Sequence, residues 1–126
     1  MKIHTQEHIT ERLDTIQGIL EAEYAGDEGH IVNERLQQIA TYMAESGKLK
    51  ADADFHFQAK LNSEIMAAIK GLLPDYSSAS LQNQFVKSLA KDEQHLATYA
   101  DRVNRSCTHQ IEVMRTQISY LKALRF

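Results

Sequence analysis

"MAESGKLKADADFHF", residues 43–57, decides how this chain folds, because its glycine stands in the middle of a helical apolar pattern. On the N-terminal side Val32, Leu36, Ile39 and Met43 recur at steps of three or four; on the C-terminal side Ala53, Phe57, Leu61, Ile65, Ile69 and Leu72 resume the same spacing. Such spacing puts side chains on one stripe of a helix. A left-handed Gly47 would cap one helix and separate two short ones. A helical Gly47 joins them into a single helix over about residues 28–73.

A register argument favours the single helix. After the only proline, Pro74, and the serine-rich "PDYSSAS", a third pattern begins near Ser80 and carries Leu81, Phe85, Leu96, Val103, Ile111, Met114 and Leu121. Folding the two patterns antiparallel about a turn near residue 77 pairs residues whose numbers sum to about 154. Leu72 then meets Leu81, Phe57 meets Leu96, Met43 meets Ile111, Val32 meets Leu121, and Gly47 falls opposite Cys107. Apolar pairs lie on both sides of Gly47, an agreement that a change of direction there would leave accidental.

A shorter first helix, about Thr5 to Ala25, carries Ile9, Leu13, Ile16, Leu20 and Tyr24 and stops at Gly26, with Asp27 placed to accept from the next helix's free amides. After a tight turn it is expected to cover only residues 30–47 and 105–124. The other half then shows Ala51, Ala53, Phe55, Phe57, Tyr99 and Ala100 to solvent, and a second chain is expected to cover them. The expected fold is all-α: one domain over 1–126, an elongated antiparallel hairpin of two long helices (about 28–73 and 80–124) with a shorter N-terminal helix. It forms a three-helix, coiled-coil-like bundle that assembles as a homo-oligomer, with a dimer favoured.

Composition bounds function more loosely. The chain has 126 residues and a formal net charge of -3, which argues against a whole-surface grip on nucleic acid. The ends differ in sign: residues 1–46 hold three Lys or Arg against nine Asp or Glu, while residues 101–126 hold five against two. The acidic end is therefore expected to pack on the basic helix, within one chain or between chains. The single cysteine, Cys107, and the absence of a leader-like start or a long apolar run point to a reducing cytoplasm and no membrane span.

No residue pattern demands catalysis. The five glycines are scattered and form no phosphate loop, and Cys107 and His109, two apart on a helix, point to different faces. The carboxylate–histidine pairs Asp52/His56, Asp92/His95 and His109/Glu112 have the helical spacing of metal ligands but do not align across the register, so neither a metal nor another cofactor is expected. The chain therefore reads as a non-enzyme. Its candidate ligand-binding residues are Arg102, Arg105, His109, Glu112 and Arg115, a polar ridge winding along the third helix. Such a ridge can bind a nucleotide, a nucleic acid or an acidic protein through charge-assisted hydrogen bonds, or it can lie inside the packed helices as an Arg–carboxylate network that sets register.

The segments "SGKLKADADFHF" (46–57) and "LAKDEQHLATYADRVNRSCTHQIEVMRTQISYLK" (89–122) resemble small helical accessory proteins of phages and prophages of gut bacteria. The resemblance covers residues 28–122 and brings no agreed active site. It implies action by binding in a host cytoplasm, on a host or phage protein. Inhibition of a host defence system is the leading form, with ligand sequestration or help to phage replication or recombination as the alternative.

Overall fold

The computed structural model describes residues 2–22, 29–71 and 88–124, and every regular element among them is helical: α1 (Gln6–Glu21), α2 (Gly29–Gly71) and α3 (Lys91–Ala123). The expected positions Tyr24, Gly26, Asp27, Pro74, Leu72, Leu81 and Phe85 lie outside the described residues.

α1 begins where Thr5 turns extended and its hydroxyl accepts the His8 amide at 3.2 Å, satisfying one of the free N–H groups of the first turn. It is shorter than its periodicity suggested and ends at Glu21, because Ala22 is extended (φ -70°, ψ 134°). Its last turn contains no basic residue, so other helices supply the complement to its negative end. The Arg35 guanidinium, from α2, donates to the carbonyls of Ile19 and Ala22, and the Gln110 amide, from α3, donates to that of Leu20 at 2.9 Å. A buried arginine is costly unless its charge is used; here it closes a helix C-terminus.

α2 runs 43 residues, about 65 Å, and passes through Gly47 without a break. The apolar stripe does not lapse at "SGK": Ser46 and Leu49 are buried between Ile39 and Ala53, so tertiary packing holds the helix where glycine weakens it. The third helix departs from expectation at its start. Ser80 to Lys87 lie outside the described residues, Leu89 and Ala90 form a turn, and Ala90 (φ -137°, ψ 47°) caps α3 without a side-chain bond.

α2 and α3 run in opposite directions, at a register about one helical turn from the expected one. Gly47 faces Asn104, the Lys50 ammonium meets Asp101 at 3.0 Å, and the Thr108 hydroxyl reaches the Met43 sulfur at 3.5 Å; each pair sums to 151 in residue number, not 154. Gly47 therefore packs on Asn104, not Cys107. A shift of three residues keeps both stripes in contact, since three residues is close to one turn, and periodicity alone could not resolve it.

The placement of α1 also corrects the expectation. His4 contacts Asp52 and His56, the Arg12 guanidinium grips Glu45 through two bonds of 2.6 and 2.8 Å, and Arg35 holds the helix end, so α1 together with the residues just before it spans residues 35–56 of α2. Along α3 it runs from Asp92 to Gln110. It sits over the middle of the long pair, and Ala53 and Ala100, expected to need a second chain, are buried within this one. Phe57 is half-buried and Phe55 is 52% exposed. The core combines Ile9, Leu13 and Ile16 of α1 with Val32, Ile39 and Leu49 of α2 and Val103, Cys107 and Met114 of α3.

Candidate functional site

α3 buries Leu96, Ala100, Val103, Cys107, Ile111 and Met114, a stripe stepping by four and three. Arg102, Arg105, His109, Glu112 and Arg115 fall outside it, and all five are exposed. They do not form the internal Arg–carboxylate network that was one reading of the sequence. Arg105 pairs at 3.0 Å with Asp101 on its own helix, and among the described residues no ion pair forms at Arg102 or Arg115. Nor do the five share one surface: thirteen residues at about 100° each leave Arg115 about 140° around the helix from Arg102. Arg102, Arg105, His109 and Glu112 fall within about 80° of one another on one side, while Arg115 turns away.

A different set of groups fills the seam between α2 and α3. The Asn104 amide donates to the Met43 carbonyl at 3.1 Å and to the Ser46 hydroxyl at 3.0 Å, and that hydroxyl donates on to the Met43 carbonyl. Cys107 is buried beside Ser46; burial pushes its thiol pKa up, against a smaller opposing effect of the Ser46 contact, so the sulfur is held as an unreactive thiol. Asn104, Ser46 and Cys107 are thus the polar layer midway along the pair.

At the N-terminal end, the buried Asp52 carboxylate accepts the His4 amide at 3.0 Å and the Lys48 ammonium at 2.6 Å. Burial pushes its pKa up, but those two bonds outweigh it and hold the carboxyl below its ordinary range. His56 donates through Nε2 to the His4 carbonyl at 2.7 Å, so the Asp52/His56 pair is engaged in fastening residues 2–5. Among the described residues no three His, Cys, Asp or Glu side chains converge as metal ligands.

A further concave feature lies elsewhere. An open groove of about 780 Å³ between α1 and the first turns of α3 is walled by Glu7, Glu11, Asp14 and Asp92, with His95, Leu96 and Tyr99 along its α3 side. Among the described residues its lining has four carboxylates and no lysine or arginine. The Tyr99 hydroxyl donates to Asp14 at 2.8 Å; burial and then this bond push its pKa up to about 12, so it stays a donor at any ordinary pH. Asp92/His95, a candidate metal pair in sequence, forms part of this wall.

Sequence reasoning missed the groove because its walls are about eighty residues apart in the chain. It also missed Arg35, whose signal was present: Arg35 lies three residues after Val32 and four before Ile39, a charged side chain at a core position. No family model matches the chain, and neither curated proteins nor solved structures provide a match. Among the described residues no helix is long and apolar enough to cross a membrane.

Proposed function

We propose that this chain is a non-catalytic binding protein, one domain in which an elongated antiparallel helical hairpin, braced by a shorter N-terminal helix, presents an arginine-bearing face to a protein partner. The observation that carries the reading is that Arg102, Arg105 and His109 share an exposed side of α3, with Arg105 held by Asp101 and Arg102 in no ion pair among the described residues. Exposed guanidiniums on a rigid helix suit carboxylates of a facing protein, because each can make two parallel charge-assisted bonds. The described hollows are open surface grooves, a form that suits docking better than chemistry.

Protein is favoured over nucleic acid by what surrounds this face. The acid-walled groove lies along the same helix, the net charge is -3, and Arg115 has turned away, so a phosphate backbone following α3 would meet repulsion within a few turns. A nucleotide-sized ligand has a weaker case: the hollow beside His109 is about 300 Å³, and the Arg35 guanidinium in its wall is committed to α1 carbonyls. In the phage setting that the sequence resemblance implies, a docking module of this kind fits an inhibitor of a host defence protein, acting in the host cytoplasm as a homodimer.

The test is photocrosslinking from position 109, with a photoreactive residue replacing the exposed His109 in the full chain inside cells. Protease-sensitive, nuclease-resistant adducts are expected. Adducts removed by nuclease would overturn the protein-docking reading in favour of nucleic acid.

A further inference from the structure

The arginine face and the acid groove are not independent features of the surface. His95, Tyr99, Arg102 and His109 step by four, three and seven along α3, so the groove's α3 wall and the arginines follow one another on one side of a single helix. The negative section centres near His95 and the positive section near Arg105, about 15 Å further along the helix. Glu7, Glu11 and Asp14 of α1 deepen the negative section, because α1 lies beside it and ends near Gln110.

A surface divided in this way is complementary to itself. A second copy turned by a two-fold axis that crosses α3 between the sections runs antiparallel to the first, and each positive section then lies over the other's negative one. Both contacts form at once and no charged section is left over, so the assembly closes at two subunits. We infer that Arg102, Arg105 and His109 of one copy seat in the groove walled by Glu7, Glu11, Asp14 and Asp92 of a second copy, and reciprocally. This inference rests on reading the arginine face as a protein-docking surface and names the chain itself as the partner.

The occupant follows from the charges of the two sections. The groove calls for a cationic surface that reaches over an apolar floor, and guanidiniums on long aliphatic stems supply it: the stems can lie on Leu96 and Tyr99 while the charges reach the carboxylates. Within the chain the two sections follow one another along the same helix, and among the described residues no ion pair joins them. Among the described residues, the intramolecular ion pairs that cross between helices are Arg12 with Glu45 and Lys50 with Asp101, and neither joins the groove to the arginine face. Exposed charge pairs are individually weak, so the dimer is expected in the micromolar range at low salt and is expected to weaken about tenfold or more between 50 and 500 mM salt.

The decisive experiment uses two charge-reversed full-length variants, Glu7→Lys/Glu11→Lys in the groove and Arg102→Glu/Arg105→Glu on the facing surface. Each alone sets like charges against each other and is expected to sediment as a monomer. Mixed in equal amounts, they are expected to form a one-to-one heterodimer, because the acidic face of one now fits the basic groove of the other. Wild-type chain that remains at the 14.3 kDa monomer mass at 100 µM in 50 mM salt overturns the inference, and so does a dimer indifferent to both substitutions or to salt. If one variant fails to fold, the salt response of wild type and the remaining variant still decide the matter. The crosslink from position 109 separates the two levels of the argument: an adduct of twice the chain mass supports self-pairing, whereas a protein adduct of another mass overturns it and leaves the docking reading standing. A nuclease-sensitive adduct overturns both.

Discussion

Replacing Gly47 by alanine is expected to stabilise the protein, and the size of the gain follows from the geometry at that one position. Gly47 is helical and half-buried, and a Cβ built there would have the Asn104 Nδ2 atom as its close neighbour at 3.7 Å, an ordinary van der Waals distance. Alanine inside a helix is favoured over glycine by about 0.5–1 kcal/mol, because the unfolded chain loses conformational freedom that it would otherwise have to give up on folding. Partial burial of one methyl adds a few tenths, for a total near ~1 kcal/mol. With a urea slope of about 2 kcal/mol per molar, the denaturation midpoint should rise by roughly 0.5 M at unchanged slope. Gly18→Ala on the exposed side of α1, where nothing lies within 4 Å of the added carbon, calibrates the propensity term alone. A midpoint that falls for Gly47→Ala but rises for Gly18→Ala would mean that the added methyl does not fit beside Asn104. In that case the methyl displaces Asn104 from Met43 and Ser46, and Asn104→Ala in the Gly47→Ala background should remove the penalty.

Phe57→Ala should cost about 1–2 kcal/mol in urea unfolding, less than the ~3 kcal/mol or more of a fully buried aromatic, because Phe57 is only half-buried and lines an open groove with Ala97. Arg35→Ala should cost about 2–3 kcal/mol by removing charge-assisted bonds to the Ile19 and Ala22 carbonyls, and hydrogen exchange should quicken first in the last turns of α1. Glu45, held down mainly by its bond from Arg12, and Asp52, held down against its burial by His4 and Lys48, both have folded pKa values below the ordinary carboxylate range. Their contribution is therefore complete above about pH 5 and is lost as pH falls below about 4 through the folded values, so thermal midpoints should drop on that acid side. Asp52→Asn should make the drop shallower; an unchanged acid profile would count against a stabilising role for this carboxylate.

The all-helical character and the continuity of α2 were legible in the residues themselves. Val32, Ile39 and Ala53 repeat with helical period, and the stripe runs on through Ser46 and Leu49, so one glycine could not end a helix that buries apolar side chains on both sides of it. The exposure of Arg102, Arg105 and His109 was half-legible: their spacing put them together, but the winding of the helix, which carries Arg115 away, had to be followed residue by residue. Relative translation of the helices was settled by packing alone. A helical stripe matches its neighbour nearly as well after a slide of one turn, and the choice of 151 over 154 came from directional contacts, Lys50 to Asp101 and Thr108 to Met43, which have no periodicity of their own. The same holds for α1. Its apolar face said that it must pack, but Arg35, Gln110 and Asp52, each answering a specific backbone group, set where, and in doing so they placed Glu7, Glu11 and Asp14 beside Asp92 to make a groove that no local stretch of sequence contains.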